Sequence, residues 1–240
     1  MSSLYFNFVF NYYTIVKDQL VTQDYIKSIA NLSLKQKNNI VKLKLISKKL
    51  NVSNAAVSDM VKKLVKDGLV MNHAYKGIEL TTVGWQMGCQ LIRHHRLWEV
   101  FLHQTLNVPW DEIHDEAEHL EHAASDSLIN RIDEYLGFPK VDPHGNPIPT
   151  IDGQIFYNSD EFSLDSLNFG QTCELVRFES LDSSYLNYLS QNGFAIGASI
   201  KVIEQFDFDQ SFLVEINARP IQITKTVAQQ IFVIQTNSCD

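Results

Sequence analysis

Residues 43–81, LKLISKKLNVSNAAVSDMVKKLVKDGLVMNHAYKGIELT, carry several structural signals in a fixed order. A short helix is expected over about 43–50, with Ile46 and Leu50 inward, closed by a tight turn at Asn51-Val52. Ser53 is a residue type that caps helices. After it Val57, Met60, Val61, Leu64 and Val65 recur at i, i+3, i+4, i+7 and i+8, the spacing of one apolar helix face, while Lys62, Lys63 and Lys66 fall off it. Gly68 stands where glycine commonly ends a helix. Two extended runs, 69–72 and 78–81, flank a turn at Lys76-Gly77. Helix, turn, second helix with a polar start, then hairpin is the winged helix-turn-helix arrangement. Its second helix offers its first residues to base edges in the major groove. Here these are Ser53, Asn54, Ala55, Ser58 and Asp59, and Lys42, Lys44, Lys48, Lys49, Lys62, Lys63 and Lys76 are placed to meet phosphates. The competing reading is a solvated helical hairpin whose lysines serve solubility.

Charge bears on that choice. The 240 residues sum to −8, which taken whole argues against nucleic acid. Residues 1–72 alone carry +7 and residues 73–240 carry −15. The basic part coincides with the helix-turn-helix and favours DNA. Upstream, Tyr25, Ile26, Ile29 and Ala30 share one face of a helix starting near Thr22. The apolar run 4–16 is 13 residues long, short of the roughly 20 that span a membrane, and it lacks the marks of a secretory signal. Residues 1–21 read as an atypical extension: either an added or mis-started N-terminus, with Val21 the true start, or a real extra helix or strand. The cysteines, Cys89, Cys173 and Cys239, are few, odd in number and without a CxxC. That excludes a disulfide framework, argues against a thiolate zinc site, and fits a reducing cytoplasm.

Downstream, a long helix is expected from Thr81 or Thr82 to about Leu106, another over about 111–125, and a third over about 126–136. All eight histidines lie between His73 and His144. In IHDEAEHLEH (113–122), helical spacing points Glu118, Glu121 and His122 one way, with His114 one turn before Glu118. His95 and Glu99 form a second acid–imidazole pair at i, i+4. Converging carboxylates repel unless a cation lies between them. Oxygen and imidazole donors without thiolate suit Mn²⁺, Fe²⁺ or Zn²⁺, and dominance of oxygen suits octahedral Mn²⁺. The alternative is an acidic solvated helix with incidental histidines. An enzyme is not expected: HExxH is absent and no second constellation supplies a nucleophile. Four of six prolines fall between Pro139 and Pro149, so 139–154 reads as linker. Beyond it come β-like runs at 173–178, 199–205, 212–217, 220–224 and 231–235, interrupted by a helix over about 182–191.

The winged helix, then HHRLWEVFL (94–102), IHDEAEHLEH (113–122) and GFPKVDPHGNPIP (137–149), in that order, resemble the diphtheria-toxin-repressor family of metal-activated transcriptional regulators. The similarity runs from about Asp24 to the C-terminus. It implies a mainly α N-terminal part, with a winged helix-turn-helix at 22–82 and a helical metal-binding and dimerisation domain at 83–138. A small all-β SH3-like barrel of the FeoA-like type would follow at 155–240. It implies that Asp24 joins Glu118, Glu121 and His122 in a primary metal site and that His95, Glu99 and His114 form the ancillary one. Asp182, loosely aligned, would be lent by the third domain. The stripe Leu128, Ile129, Ile132 and Leu136 would form the dimer interface. Oxygen ligands at Glu118 and Asp24 resemble the manganese-responsive branch. Lys27 departs from members that carry a carboxylate there. The implied protein is a dimeric, cytoplasmic repressor of metal-uptake genes that binds palindromic operator DNA when Mn²⁺ is ample. Fe²⁺ is the alternative activator and Zn²⁺ a non-physiological binder. A metal-binding protein without DNA function, and a regulator sensing an organic effector, are the readings from other classes.

Overall fold

The computed structural model describes residues 2–36, 38–110, 112–179 and 182–236, with the side chains of 2–16 and 183 excepted. It divides into two compact units. One comprises Met1–His95, Glu121–Ala124 and Pro149–Gln154, the other Arg96–Leu120, Ser125–Ile148 and Ile155–Asp240.

In the first unit, α1 (Ser2–Ser33) is one continuous helix, so no boundary falls between the expected extension and the helix carrying Asp24. Helix α2 (Leu43–Leu50) ends at Asn51, whose left-handed φ of 53° suits a short polar side chain. Helix α3 (Asn54–Lys66) starts as expected at Ser53, whose hydroxyl accepts from the Ala56 amide at 3.2 Å. Val57, Val61 and Leu64 are buried, whereas Val65, expected on the same stripe, is exposed. The wing pairs β1 (Val70–His73) with β2 (Gly77–Leu80) antiparallel, and Val41 adds a bridge to Ile78. Gly77 sits at φ 138°, and a Cβ there would lie 2.4 Å from the Val41 carbonyl oxygen, so the wing root admits only glycine. Ile26, Ile29 and Ala30 join Ile46, Val57, Leu64, Ile78 and Ile92 in one core. The first half of α4 (Thr82–Leu106) closes on α1 at Gly88, where a Cβ would come within 2.6 Å of the Ala30 Cβ.

In the second unit, the rest of α4 is followed by α5 (Ile113–Leu120) and α6 (Asp126–Tyr135). The expected start of α5 at Asp111 lies outside the described residues. Its expected end at Ser125 is corrected, because the helix stops at Leu120 and Glu121 and His122 occupy the turn that follows. Residues 142–149 are mostly buried, unlike a solvated linker: Asp142 accepts the His144 and Asn146 amides at 2.8 and 2.9 Å, and the Asp142 amide donates to the Asn146 carbonyl. Among the described residues, β3 (Phe162–Ser163), β4 (Thr172–Phe178), β5 (Ser199–Gln205), β6 (Phe212–Ile216), β7 (Arg219–Ile223) and β8 (Ile231–Gln235) form an antiparallel six-stranded sheet. Its order is β3-β8-β4-β5-β6-β7. Helix α7 (Ser183–Gln191) supplies Leu186 and Leu189 to its core, and α8 (Lys225–Ala228) supplies Ala228. The short β3 carries no alternation long enough to have marked it in the sequence.

Candidate metal centre

In the first unit Asp24, His95, Glu121 and His122 come together. His122 Nε2 lies 3.0 Å from Asp24 Oδ1 and 3.3 Å from Glu121 Oε1. His122 Nδ1 donates to Gln23 Oε1 at 2.8 Å, which turns Nε2 toward the two carboxylates. Glu121 is fully buried; its Oε1 makes no hydrogen bond, while its Oε2 is 2.6 Å from both His95 Nδ1 and Lys27 Nζ. The hydrogen bond that His122 donates to Asp24 is the main cause that raises the His122 pKa, helped by the charges of Glu121 and Asp24 and opposed by burial and Lys27. His122 Nε2, set between two carboxylates, is the nitrogen whose lone pair a metal would need. The residues fit a hard divalent cation. A buried carboxylate oxygen lacks a hydrogen bond, and an imidazole nitrogen and a second carboxylate stand within 3.3 Å.

In the second unit Glu99 Oε1 lies 3.3 Å from His114 Nδ1, and Glu118 Oε1 is 3.9 Å from His114 Nε2. Asp142 and His144, absent from the sequence-based candidates, join Glu99: one ligand atom of each lies within 4.8 Å of the others. His144 Nε2 donates to the Trp110 carbonyl at 2.8 Å, leaving Nδ1 as the acceptor nitrogen, and that buried Nδ1 makes no hydrogen bond. Burial, then the charge of Glu99, pushes the Asp142 carboxyl up to about 6. Arg96 Nε, 3.7 Å from Asp142 Oδ2, offsets part of the negative charge. Asp142 and His144 stand two apart in a proline-punctuated stretch whose spacing follows neither a helical nor a strand period that would have marked them.

Asp182 lies at the start of α7. Its carboxylate caps α7, accepting the Ser184 and Tyr185 amides at 3.1 Å, and the Ser184 hydroxyl above all holds its pKa down. Of the stripe expected at a dimer interface, Ile129 and Ile132 are buried within the chain. Leu128 remains exposed and Leu136 half-buried, with Tyr135 and Phe138 exposed beside them.

On the reading face, Ser53, Asn54, Ala55 and Asp59 are exposed and Ser58 half-buried, its hydroxyl donating to the Asn54 carbonyl. Lys62 is exposed beside Asp59, and Lys76 is exposed in the wing. Lys63 differs: its ammonium turns to α1, 3.3 Å from both Asp18 Oδ2 and Thr22 Oγ1. Tyr75, missed in the sequence, stands fully exposed at the wing tip with φ 62°.

Three family models match. "Iron dependent repressor, N-terminal DNA binding domain" covers residues 20–78, "Iron dependent repressor, metal binding and dimerisation domain" covers 81–150, and "FeoA domain" covers 162–235. The iron-dependent repressor IdeR of Mycobacterium leprae is 34% identical over 131 residues, which is 54% of this chain and 56% of that protein. The chain thus spans little more than half the length of that curated relative. The diphtheria toxin repressor of Corynebacterium efficiens is 29% identical over 195 residues, 77% of this chain and 83% of the relative. A solved manganese-dependent transcriptional repressor in complex with manganese superposes with a TM-score of 0.81 at 34% identity, covering 90% of this chain and all of that one. The manganese regulator SloR gives 0.74 at 36%, covering 90% and 98%.

Proposed function

The chain belongs to the iron-dependent, or diphtheria-toxin, repressor family, and on that premise we propose that it is a metal-activated transcriptional repressor binding operator DNA as a homodimer. It is a regulator and not an enzyme. The observation that carries this reading is the contact of His122 with Asp24 and Glu121. Asp24 lies on α1, whose Ile26, Ile29 and Ala30 also belong to the core that seats α2 and α3. Holding Asp24 to the turn after α5 therefore also holds the reading helix. Asp24, Glu121 and His122 are the residues that would hold one ion; Glu99, His114, Asp142 and His144 would hold another. A bound cation would supply positive charge among carboxylates that otherwise repel. His122 would offer that cation its Nε2 lone pair. Two reading helices fixed at one spacing then match half-sites on one face of the duplex. Metal favours the DNA-competent state because that state binds it better, and DNA in turn tightens the metal.

The donor set of oxygens and imidazoles, without thiolate, supports Mn²⁺, as do the structural neighbours whose names carry manganese. The iron-named relatives support Fe²⁺ as the second reading. Zn²⁺ binds and activates less, since a tetrahedral ion need not recruit every arm. We read the C-terminal sheet as an SH3-like barrel that braces the dimer. Among the described residues no helix is long and apolar enough to cross a membrane, in keeping with action in the cytoplasm. The test is a DNA-binding titration on the upstream regions of metal-transport genes with Mn²⁺, Fe²⁺, Zn²⁺ or chelator. Metal-dependent retardation is expected; equal binding in chelator overturns the reading.

A further inference from the structure

Lys27 lies on α1 one turn after Asp24 and is buried, its side chain only 10% exposed. A buried ammonium is costly unless it is paired and hydrogen-bonded. Lys27 Nζ is 2.6 Å from Glu121 Oε2 and 3.2 Å from His95 Nδ1, and those two atoms are themselves 2.6 Å apart. The triangle has the makeup of a cation with an oxygen and a nitrogen donor, with the ammonium as the cation. The other oxygen of Glu121 faces away from it, toward His122 at 3.3 Å, and makes no hydrogen bond. The two oxygens of one carboxylate are thus divided between a cation that is part of the chain and an imidazole that is a metal donor.

We infer that Lys27 is a built-in cation that takes the place of a second metal ion at the Asp24–Glu121–His122 centre, limiting that centre to a single ion bound through Glu121 Oε1. Lys27 is a positioning residue: it holds Glu121 Oε2 and His95 so that neither is offered to an ion bound beside them. Glu121 then reaches its ion with one oxygen, and a second divalent ion is excluded by a positive charge already in place. The inference rests on the metal-activated reading above and adds to it the number of ions the centre takes and the residue that sets it.

The test is metal analysis after equilibrium dialysis of the full chain against Mn²⁺ alone, comparing wild type, Lys27→Glu and Lys27→Met, with electron paramagnetic resonance on the same samples and circular dichroism to confirm folding. Lys27→Glu adds a donor where the ammonium was, and Lys27→Met removes the charge at similar volume. The expected result is one more Mn²⁺ per chain in the folded variants than in wild type, with a spin-coupled signal that wild type lacks. An ion count and spectrum equal to those of wild type in whichever variant folds overturn the inference while leaving the metal-activated reading standing. Absence of Mn²⁺ binding by wild type overturns both.

Discussion

His122 Nε2 and Asp24 Oδ1 lie 3.0 Å apart, joining the turn after α5 to α1 across 98 positions of sequence. Asp24→Asn keeps the size of the side chain and removes its charge. It is a cleaner probe than a change at Glu121, because Asp24 is partly exposed whereas losing the Glu121 carboxylate would leave Lys27 buried without that partner. Mn²⁺ affinity is expected to fall by about tenfold or more in Asp24→Asn, with the far-UV spectrum unchanged. Calorimetric titration checks it, and unaltered affinity would remove Asp24 from the ligand set.

The same pair sets a pH dependence. The hydrogen bond with Asp24 raises the His122 pKa above its ordinary 6.5 in the folded chain. A raised folded value means that the pair's contribution to stability is fully present below pH 6.5 and is lost as pH rises through the folded value. In chelator, the melting temperature of wild type relative to Asp24→Asn should therefore fall as pH rises above 6.5. Mn²⁺ binding should release a proton over the same interval, so metal affinity weakens on acidification. Melting curves that stay parallel across that interval would contradict the assignment.

Asp142 works in the opposite half of the pH scale. Its carboxyl is pushed up to about 6, chiefly by burial. The folded chain holds that proton more tightly than the unfolded chain, so its contribution to stability declines as pH climbs from 3.8 to about 6. Asp142→Asn retains an acceptor for the His144 and Asn146 amides and has nothing to ionise. In chelator, its stability relative to wild type should rise across that window in urea titrations, and a constant difference would count against a raised pKa.

Lys62 and Lys63 are neighbours in sequence with different tasks. The Lys62–Asp59 pair is exposed on both sides, and such pairs hold little energy, so Lys62 is available to phosphate. Lys62→Ala should weaken binding to all DNA sequences and lower the salt slope by about one. Lys63→Ala, whose ammonium is engaged by Asp18 and Thr22, should change the slope less. Fluorescence anisotropy over a salt series distinguishes the two, and equal slopes would place both lysines at the phosphates.

Gly77→Ala drives a methyl into the Val41 carbonyl at the wing root. A cost of about 1–3 kcal/mol for strained backbone is expected, with DNA affinity reduced and Mn²⁺ affinity retained. Loss of Mn²⁺ binding in this variant would mean that the wing and the metal centre are one cooperative element.

What the sequence revealed follows from how far apart the interacting residues lie. Val57, Val61 and Leu64 mark the reading helix because a helical face repeats within a few residues. Glu118, Glu121 and His122 were singled out by the same spacing, although the last two fall beyond the end of α5. Asp142 and His144 were not, since their partner Glu99 lies more than forty positions away and the surrounding prolines imitate a linker. Lys27 is visible as a lysine near Asp24, but its burial against Glu121, 94 positions on, is a tertiary fact. Ile129 and Ile132 show the limit of periodicity. It reveals an apolar face without saying whether the chain itself or a second copy covers it.

The close crossing of Ala30 and Gly88 makes α1 a lever. Backbones that near cannot slide past each other, so tilting of α1 pivots at Ala30. Asp24 lies six residues from that fulcrum, about 9 Å along the axis, and the helix continues to Ser2. A rigid tilt that carries the far end sideways moves Asp24 by roughly a fifth as much. The long arm is therefore a reduction gear: a sideways shift at the start of α1 reaches Asp24 as a smaller displacement.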